Sequence, residues 1–233
     1  MAELITPVER KYAGIQLSGL KALREGTIPE FSGFPDSLNN RYNASFVFTP
    51  NSTAQFEERV AQPLAAIADQ AGIGLYLASR DFCVHSTLLE GAWEGEDQAV
   101  KQALFGQIHS AEAIGKLDLL VGKKIEFQYL LIGGNTVLTA VNIPEWVLAA
   151  RAQLNDVYRT HGLKPLSMDN ILHITVARMT RLPEGDKEEK IKAFQAYRKM
   201  ARDLRHSISA SPLILEVGAV STVPPLELLR IAA

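Results

Sequence analysis

Three observations place this sequence in the α+β class. Strand-like and helix-like runs are mixed along the chain. One pair of strands is joined by a Gly133-Gly134-Asn135 hairpin signal. A short phrase, His-x-Thr followed by an apolar residue, occurs twice in runs that read as strands, at His85-Ser86-Thr87-Leu88 and at His173-Ile174-Thr175-Val176. Hairpin connections make the sheets largely antiparallel.

The elements follow in order. Residues 1–44 carry many breakers (Gly26, Pro29, Gly33, Pro35, Asn39-Asn40) and read as an N-terminal extension, with a short helix near 8–24 and a covering loop over 25–44. Regular structure is expected from Ser45, with a strand stopped by Pro50. Ser52 and Gln55 form a capping-box signature, and Phe56, Val60, Leu64 and Ile67 recur at helical spacing. Pro63 should kink or split that helix, and Gly72 ends it. Strands Ile73–Ala78 and Phe82–Leu89 follow, the second carrying the first motif, and Asp97 caps a helix to about Ala113. The second half opens with a strand over Ile125–Ile132 and its hairpin return, Thr136–Val141. A helix starting near Pro144 stops at Gly162. The strand Ile171–Ala177 carries the second motif. A single charged helix over 186–205 and a last strand, Leu213–Val220, complete the chain. Each half sets a long helix before its motif strand and another after it. This reads as a weak duplication, two similar lobes contributing one motif strand each, and 45–233 as one domain.

Composition narrows the function. The chain has 233 residues, 47% hydrophobic and 21% charged, enough apolar material for a sizeable core. A formal charge of -2 argues against holding nucleic acid by bulk positive charge, though not against binding a nucleic-acid end in a pocket. A lone cysteine, Cys83, excludes an intrachain disulfide and suits a reducing compartment. The first residues lack a signal-peptide pattern, and no apolar run approaches a membrane span. The expectation is a soluble cytoplasmic protein with no membrane contact and no obligate protein partner.

The repeated phrase carries the chemistry. Among five histidines, only His85 and His173 have a threonine two residues on and an apolar residue after it; composition alone puts a hydroxyl residue and then an apolar one at those places about one time in twenty. Residues two apart on a strand share a face, so each copy presents an imidazole beside a hydroxyl. One histidine can take a proton while the other gives one, and hydroxyls can donate to phosphoryl oxygens. Phosphodiester cleavage asks for such a set. Two histidines without Cys or carboxylate at ligand spacing make a poor zinc site, so neither metal nor other cofactor is expected.

These residues resemble the paired motifs of the 2H phosphoesterase superfamily, the group of 2′-5′ RNA ligase-like proteins and cyclic nucleotide phosphodiesterases. The resemblance rests on His85-Ser86-Thr87-Leu88-Leu89-Glu90-Gly91 and His173-Ile174-Thr175-Val176-Ala177-Arg178, and on the element order over about 45–220. It implies a bilobal α+β fold with the motif strands meeting in a central cleft. It also implies metal-independent hydrolysis of a 2′,3′-cyclic phosphate or 2′-5′ phosphodiester at a nucleotide or RNA end. His85 and His173 would be the acid/base pair, and Thr87 and Thr175 the phosphate binders. The alternative is a module that holds a nucleotide or RNA end in the same cleft without turning it over. Ser86 departs from the family, which has an apolar residue there; if buried, its hydroxyl needs a partner.

Further candidates for substrate binding are Arg178, Tyr76 and Tyr129. Arg178 falls out of phase with His173 and Thr175, which puts it on the far face or at the strand end. The two tyrosines lie in strands and could stack on a base. Cys83 is expected to share a strand face with His85. His161 and His206 suit helix C-termini. Arg198, Arg202 and Arg205 end a helix that Asp186, Glu188 and Glu189 begin, the distribution its dipole favours.

Overall fold

The computed structural model describes residues 31–32, 40–140, 142–166 and 171–222. The expected helix near 8–24 and most of the 25–44 loop lie outside them. The first strand, β1 (Arg41–Phe48), begins four residues earlier than expected. Pairing extends it: Arg41 lies across from Ala92, and Tyr42 and Ala44 are buried. Asn40 thus ends the loop.

Helix α1 (Pro50–Phe56) is capped by Thr49, whose Oγ1 accepts from the Ser52 amide, with Pro50 at its first position. Proline's fixed φ suits that position, so the cap lies three residues before the expected Ser52. The Ser52 hydroxyl instead accepts from the Glu216 amide at 2.8 Å. The regular α-helix is interrupted ahead of Pro63, which stands in the first turn of the following helical segment. A π-helical turn, Glu57–Ala61, widens the backbone just before it and continues into α2 (Gln62–Gln70), a known way to absorb a missing hydrogen bond.

Strands β2 (Gly74–Leu77) and β3 (His85–Ala92) follow. Next come α3 (Gln98–His109), a short α4 (Glu112–Gly115) and a 3-10 turn, Lys116–Leu120. The run expected as one strand over 125–132 is two: β4 (Lys124–Phe127) pairs with the last strand, whereas β5 (Tyr129–Leu131) pairs with β6 (Asn135–Thr139). The chain passes from one half of the sheet to the other at Gln128. Helix α5 (Glu145–Thr160) ends before Gly162, which takes a left-handed φ of +76°, a backbone state glycine reaches without a Cβ clash. Strand β7 (Lys164–Pro165) and the second motif strand β8 (His173–Arg181) come next. The charged segment is two helices, α6 (Lys187–Met200), with an Asp186/Glu189 capping box, and α7 (Arg202–Ala210), separated at Ala201. Strand β9 (Leu213–Ser221) completes the set.

All strand pairs are antiparallel, in the order β4-β9-β1-β3-β8-β6-β5, with β2 on β8 and β7 on β3. The α+β class and two-lobed arrangement expected from the sequence are the observed ones. The halves also exchange strands: β2 precedes β3 yet pairs with β8, and β7 precedes β8 yet pairs with β3. Helix α5 lies over β3 with Val147, Leu154 and Tyr158 buried on one side, the i, i+7, i+11 spacing of an apolar stripe. Gly91 lets it approach, since a Cβ there would meet Tyr158 at 2.8 Å. Phe46, Leu88, Ile174 and Val176 are fully buried; each is worth roughly 1.5–3 kcal/mol in area removed from water.

Candidate active site

The two motif strands meet at one ladder position, Ser86 opposite Ile174. These are the middle residues of the two motifs. From there a single row crosses the sheet: Leu130, Leu138, Ile174, Ser86, Phe46, Val220. Side chains alternate along each strand, so the rows on either side point to the opposite face. One holds Tyr129, Thr139 and His173, then Thr87, Ser45 and Ser221. The other holds Leu131, Val137 and Thr175, then His85, Val47 and Ala219. Carried one residue to each side of Ser86–Ile174, the register sets His85 beside Thr175 and Thr87 beside His173. The histidines are then diagonal neighbours, with Cα atoms about 7–8 Å apart. All four side chains are half-buried, whereas Ser86, Leu88, Ile174 and Val176 behind them are fully buried.

Ser86, the departure from the family pattern, is completely buried, and its hydroxyl donates to the His173 carbonyl at 2.8 Å. The middle residue of one motif thus bonds the backbone of the other.

The strands match beyond the motifs. In each, the in–out alternation slips after the fourth residue, leaving two buried residues in succession, Leu88-Leu89 and Val176-Ala177. Both slips are register irregularities against the outer neighbour, β1 or β6, as a β-bulge produces. This corrects the expectation for Arg178. The bulge returns it to the face of His173 and Thr175, and its charge acts on both imidazoles. Its counterpart on β3 is Glu90, which is paired with Arg41 at 2.6 Å.

The histidines are held differently. His85 Nδ1 lies 2.9 Å from the Cys83 carbonyl. A carbonyl only accepts, so Nδ1 carries the proton and the lone pair of neutral His85 is on Nε2. Burial disfavours the charged form of His85; the bond to Cys83 opposes that effect and Arg178 adds to it, for a net lowering. His173 is pushed down to about 4, by burial first and then by His85, Arg151 and Arg178. Both imidazoles are therefore neutral near pH 7 in the free protein.

Cys83 precedes β3 rather than lying in it and contributes its carbonyl. Burial raises its thiol pKa, which disfavours the thiolate a nucleophile needs. Tyr76 lies opposite Arg178. Its ring stacks on Phe82 at 5.1 Å and packs on Phe31 at 5.2 Å, and its hydroxyl donates to the Asp81 carbonyl. The Arg178 guanidinium sits 5.3 Å from the Phe31 ring centre, and the Phe31 amide donates to Met179. Phe31, Tyr76 and Arg178 thus form one wall. Tyr129 lies in the row of Thr139 and His173.

Two contributors escaped the sequence reading. Phe31 has no local pattern to mark it. Arg151 does have one: it is a charge on the buried side of α5, 8% exposed. Its Nε donates to Leu88 and its Nη2 to Ile171. Among the described residues no group of three or more His, Cys, Asp or Glu side chains is placed to hold a metal ion, and no helix is long and apolar enough to cross a membrane. A recess of about 340 Å³ between α2, β2 and the end of β8 is lined by Asp69, Arg80, Thr180 and Arg181 and by neither histidine.

No family model and no curated protein matches this chain. Two solved structures of Kluyveromyces marxianus Usb1 resemble it. One is 12% identical with a TM-score of 0.42, covering 79% of this chain and 98% of that one. The other, with uridine monophosphate, is 13% identical with a TM-score of 0.46, covering 81% and 99%. Neither likeness is close enough to assign an activity.

Proposed function

We propose that the face carrying His85, Thr87, His173 and Thr175 is a metal-independent phosphoesterase site of the 2H type. It hydrolyses a 2′,3′-cyclic phosphate or a 2′-5′ phosphodiester at a nucleotide or RNA end. The observation that carries this reading is the meeting of two His-x-Thr strands at their middle residues, which sets the imidazoles diagonally with a hydroxyl beside each. The proposal requires a phosphorus atom to sit within reach of both.

The chemistry follows from the resting state. The His85 Nε2 lone pair takes a proton from the attacking water, and the oxygen formed bonds to phosphorus. His173 gives its proton to the departing sugar oxygen as the P–O bond breaks. Its depressed pKa means that this proton arrives with the substrate: a bound phosphate anion favours the imidazolium that burial, His85, Arg151 and Arg178 oppose. The Thr87 and Thr175 hydroxyls donate to the non-bridging oxygens, and Arg178 adds a charge-assisted donor from the same face.

The test is a panel of 2′,3′-cyclic nucleotides and 2′-5′ dinucleotides, incubated with the wild type with and without chelator. Product in both conditions supports the proposal. Tight binding without product replaces it with a nucleotide- or RNA-end-binding module.

A further inference from the structure

The seam between the motif strands is thin: β3 and β8 share one ladder position. Three bonds from two side chains hold it. The Ser86 hydroxyl donates to the His173 carbonyl at 2.8 Å. From α5, Arg151 Nε donates to the Leu88 carbonyl at 2.7 Å and Nη2 to the Ile171 carbonyl at 2.6 Å. Leu88 follows Thr87, and Ile171 lies two residues before His173. One rigid fork therefore grips the first motif just after its threonine and the second just before its histidine. A planar guanidinium suits this, because its donors have fixed directions. Burying a charge is costly unless it is hydrogen-bonded, and the buried Arg151 directs these two donors to β3 and to the segment that leads into β8.

We propose that Arg151, assisted by Ser86, is a positioning residue that locks this seam and so sets the separation and tilt of His85 and His173. The inference rests on the reading of those histidines as an acid/base pair. Diagonal imidazoles on two strands joined at one pair would otherwise shift as the strands splay, and a misplacement of about 1 Å at a reacting group can cost on the order of 10² in rate. The charge of Arg151 has a second effect. The charged and titratable groups acting on His173 are His85 from β3, Arg178 from its own strand and Arg151 from α5; across on β6 stands the uncharged Thr139. Arg151 therefore helps to keep His173 neutral until an anion arrives.

Three variants test this: Arg151→Met, Arg151→Lys and Ser86→Ala. Each is checked for folding by circular dichroism and thermal melting. Histidine titration is followed by NMR in the free protein, and kcat and KM are measured on whichever panel substrate the wild type turns over. Arg151→Met is expected to raise the His173 midpoint by roughly 0.5–1 pH unit and to lower kcat on the order of 10² with KM little changed. Arg151→Lys keeps the charge, so it holds the midpoint near the wild-type value, but it loses the fork and lowers kcat. Ser86→Ala lowers kcat by a smaller factor and leaves the midpoint in place. A merely structural arginine would change the melting temperature and leave kcat at the wild-type value in the folded variants; that result overturns the proposal. Should Arg151→Met fail to fold, wild-type kcat in Arg151→Lys overturns it. If the wild type turns over no substrate, the phosphoesterase reading fails, and wild-type His85 and His173 ring resonances in folded Arg151→Lys then decide against the positioning role.

Discussion

Acidification from pH 7.5 to 4 should destabilise this protein through its two site histidines before most carboxylates titrate. An imidazole in the unfolded chain titrates near 6.5, whereas His173 in the fold is held at about 4. As pH falls through 6.5 the unfolded chain takes up a proton that the native state refuses, so stability present above 6.5 is lost progressively and the loss levels off near 4. At ~1.36 kcal/mol per pH unit, the gap of about 2.5 units corresponds to a loss on the order of 3 kcal/mol from His173. His85 adds to it in the same direction. An ordinary domain has about 5–15 kcal/mol in all, so the effect is measurable. Urea unfolding at a series of pH values, read by circular dichroism, gives the free energy for the wild type and for His173→Gln. The variant should lose about 3 kcal/mol less between pH 6.5 and 4. Identical pH dependence in the two proteins would refute the argument that His173 is desolvated and held neutral by its neighbours.

Four further outcomes are expected. His85→Ala and His173→Ala each lower kcat by ~10²–10⁴ on a substrate the wild type turns over; a folded variant at wild-type rate removes that histidine from the acid/base pair. Thr87→Val and Thr175→Val delete one hydroxyl at nearly constant volume and reduce kcat/KM by an amount equivalent to about 1–3 kcal/mol; an unchanged ratio excludes that hydroxyl as an oxyanion donor. Arg178→Met weakens binding of inorganic phosphate, measured by calorimetry, by roughly 5–100-fold, and equal affinity would return Arg178 to a purely structural place against Phe31. Gly91→Val pushes a side chain into Tyr158, 2.8 Å from where its Cβ would lie, and should cost about 1–3 kcal/mol in thermal unfolding; an unaltered melting temperature would mean that α5 is free to move off β3.

The motif strands were readable because two signals agreed on them: alternation at period two and a repeated phrase. The fold class followed from their hairpin surroundings. The facing of Arg178 was not readable. Val176 and Ala177 are both apolar, and a bulge between them is defined only against the neighbouring strand, so counting by twos from His173 put the guanidinium on the wrong side. The break at Gln128 has the same origin, since an unbroken apolar run does not say that its halves pair in different parts of the sheet. Helix ends failed more locally. Thr49 outcompeted Ser52 because Pro50 was already suited to begin a helix. The separation of α6 from α7 at Ala201 has no glycine or proline to announce it; it places Arg205 against the Leu130 carbonyl of β5. Ser86 was visible as an anomaly, but its meaning needed the second strand.

The exchange of β2 and β7 between the halves has a consequence for how such a chain can come apart. A cut in the 3-10 turn before β4 would leave three strands, β1 to β3, on one fragment and six, β4 to β9, on the other. Neither would hold a complete sheet, because each motif strand borrows a neighbour from the other fragment. The doubled architecture therefore does not consist of two modules resting against each other. The strand exchange predicts one cooperative unit, in which separating the histidines by moving the halves means breaking strand pairs on both sides at once. An opening motion at this face would have to be supplied by side chains and loops around it, while the spacing of the pair remains a property of the whole fold.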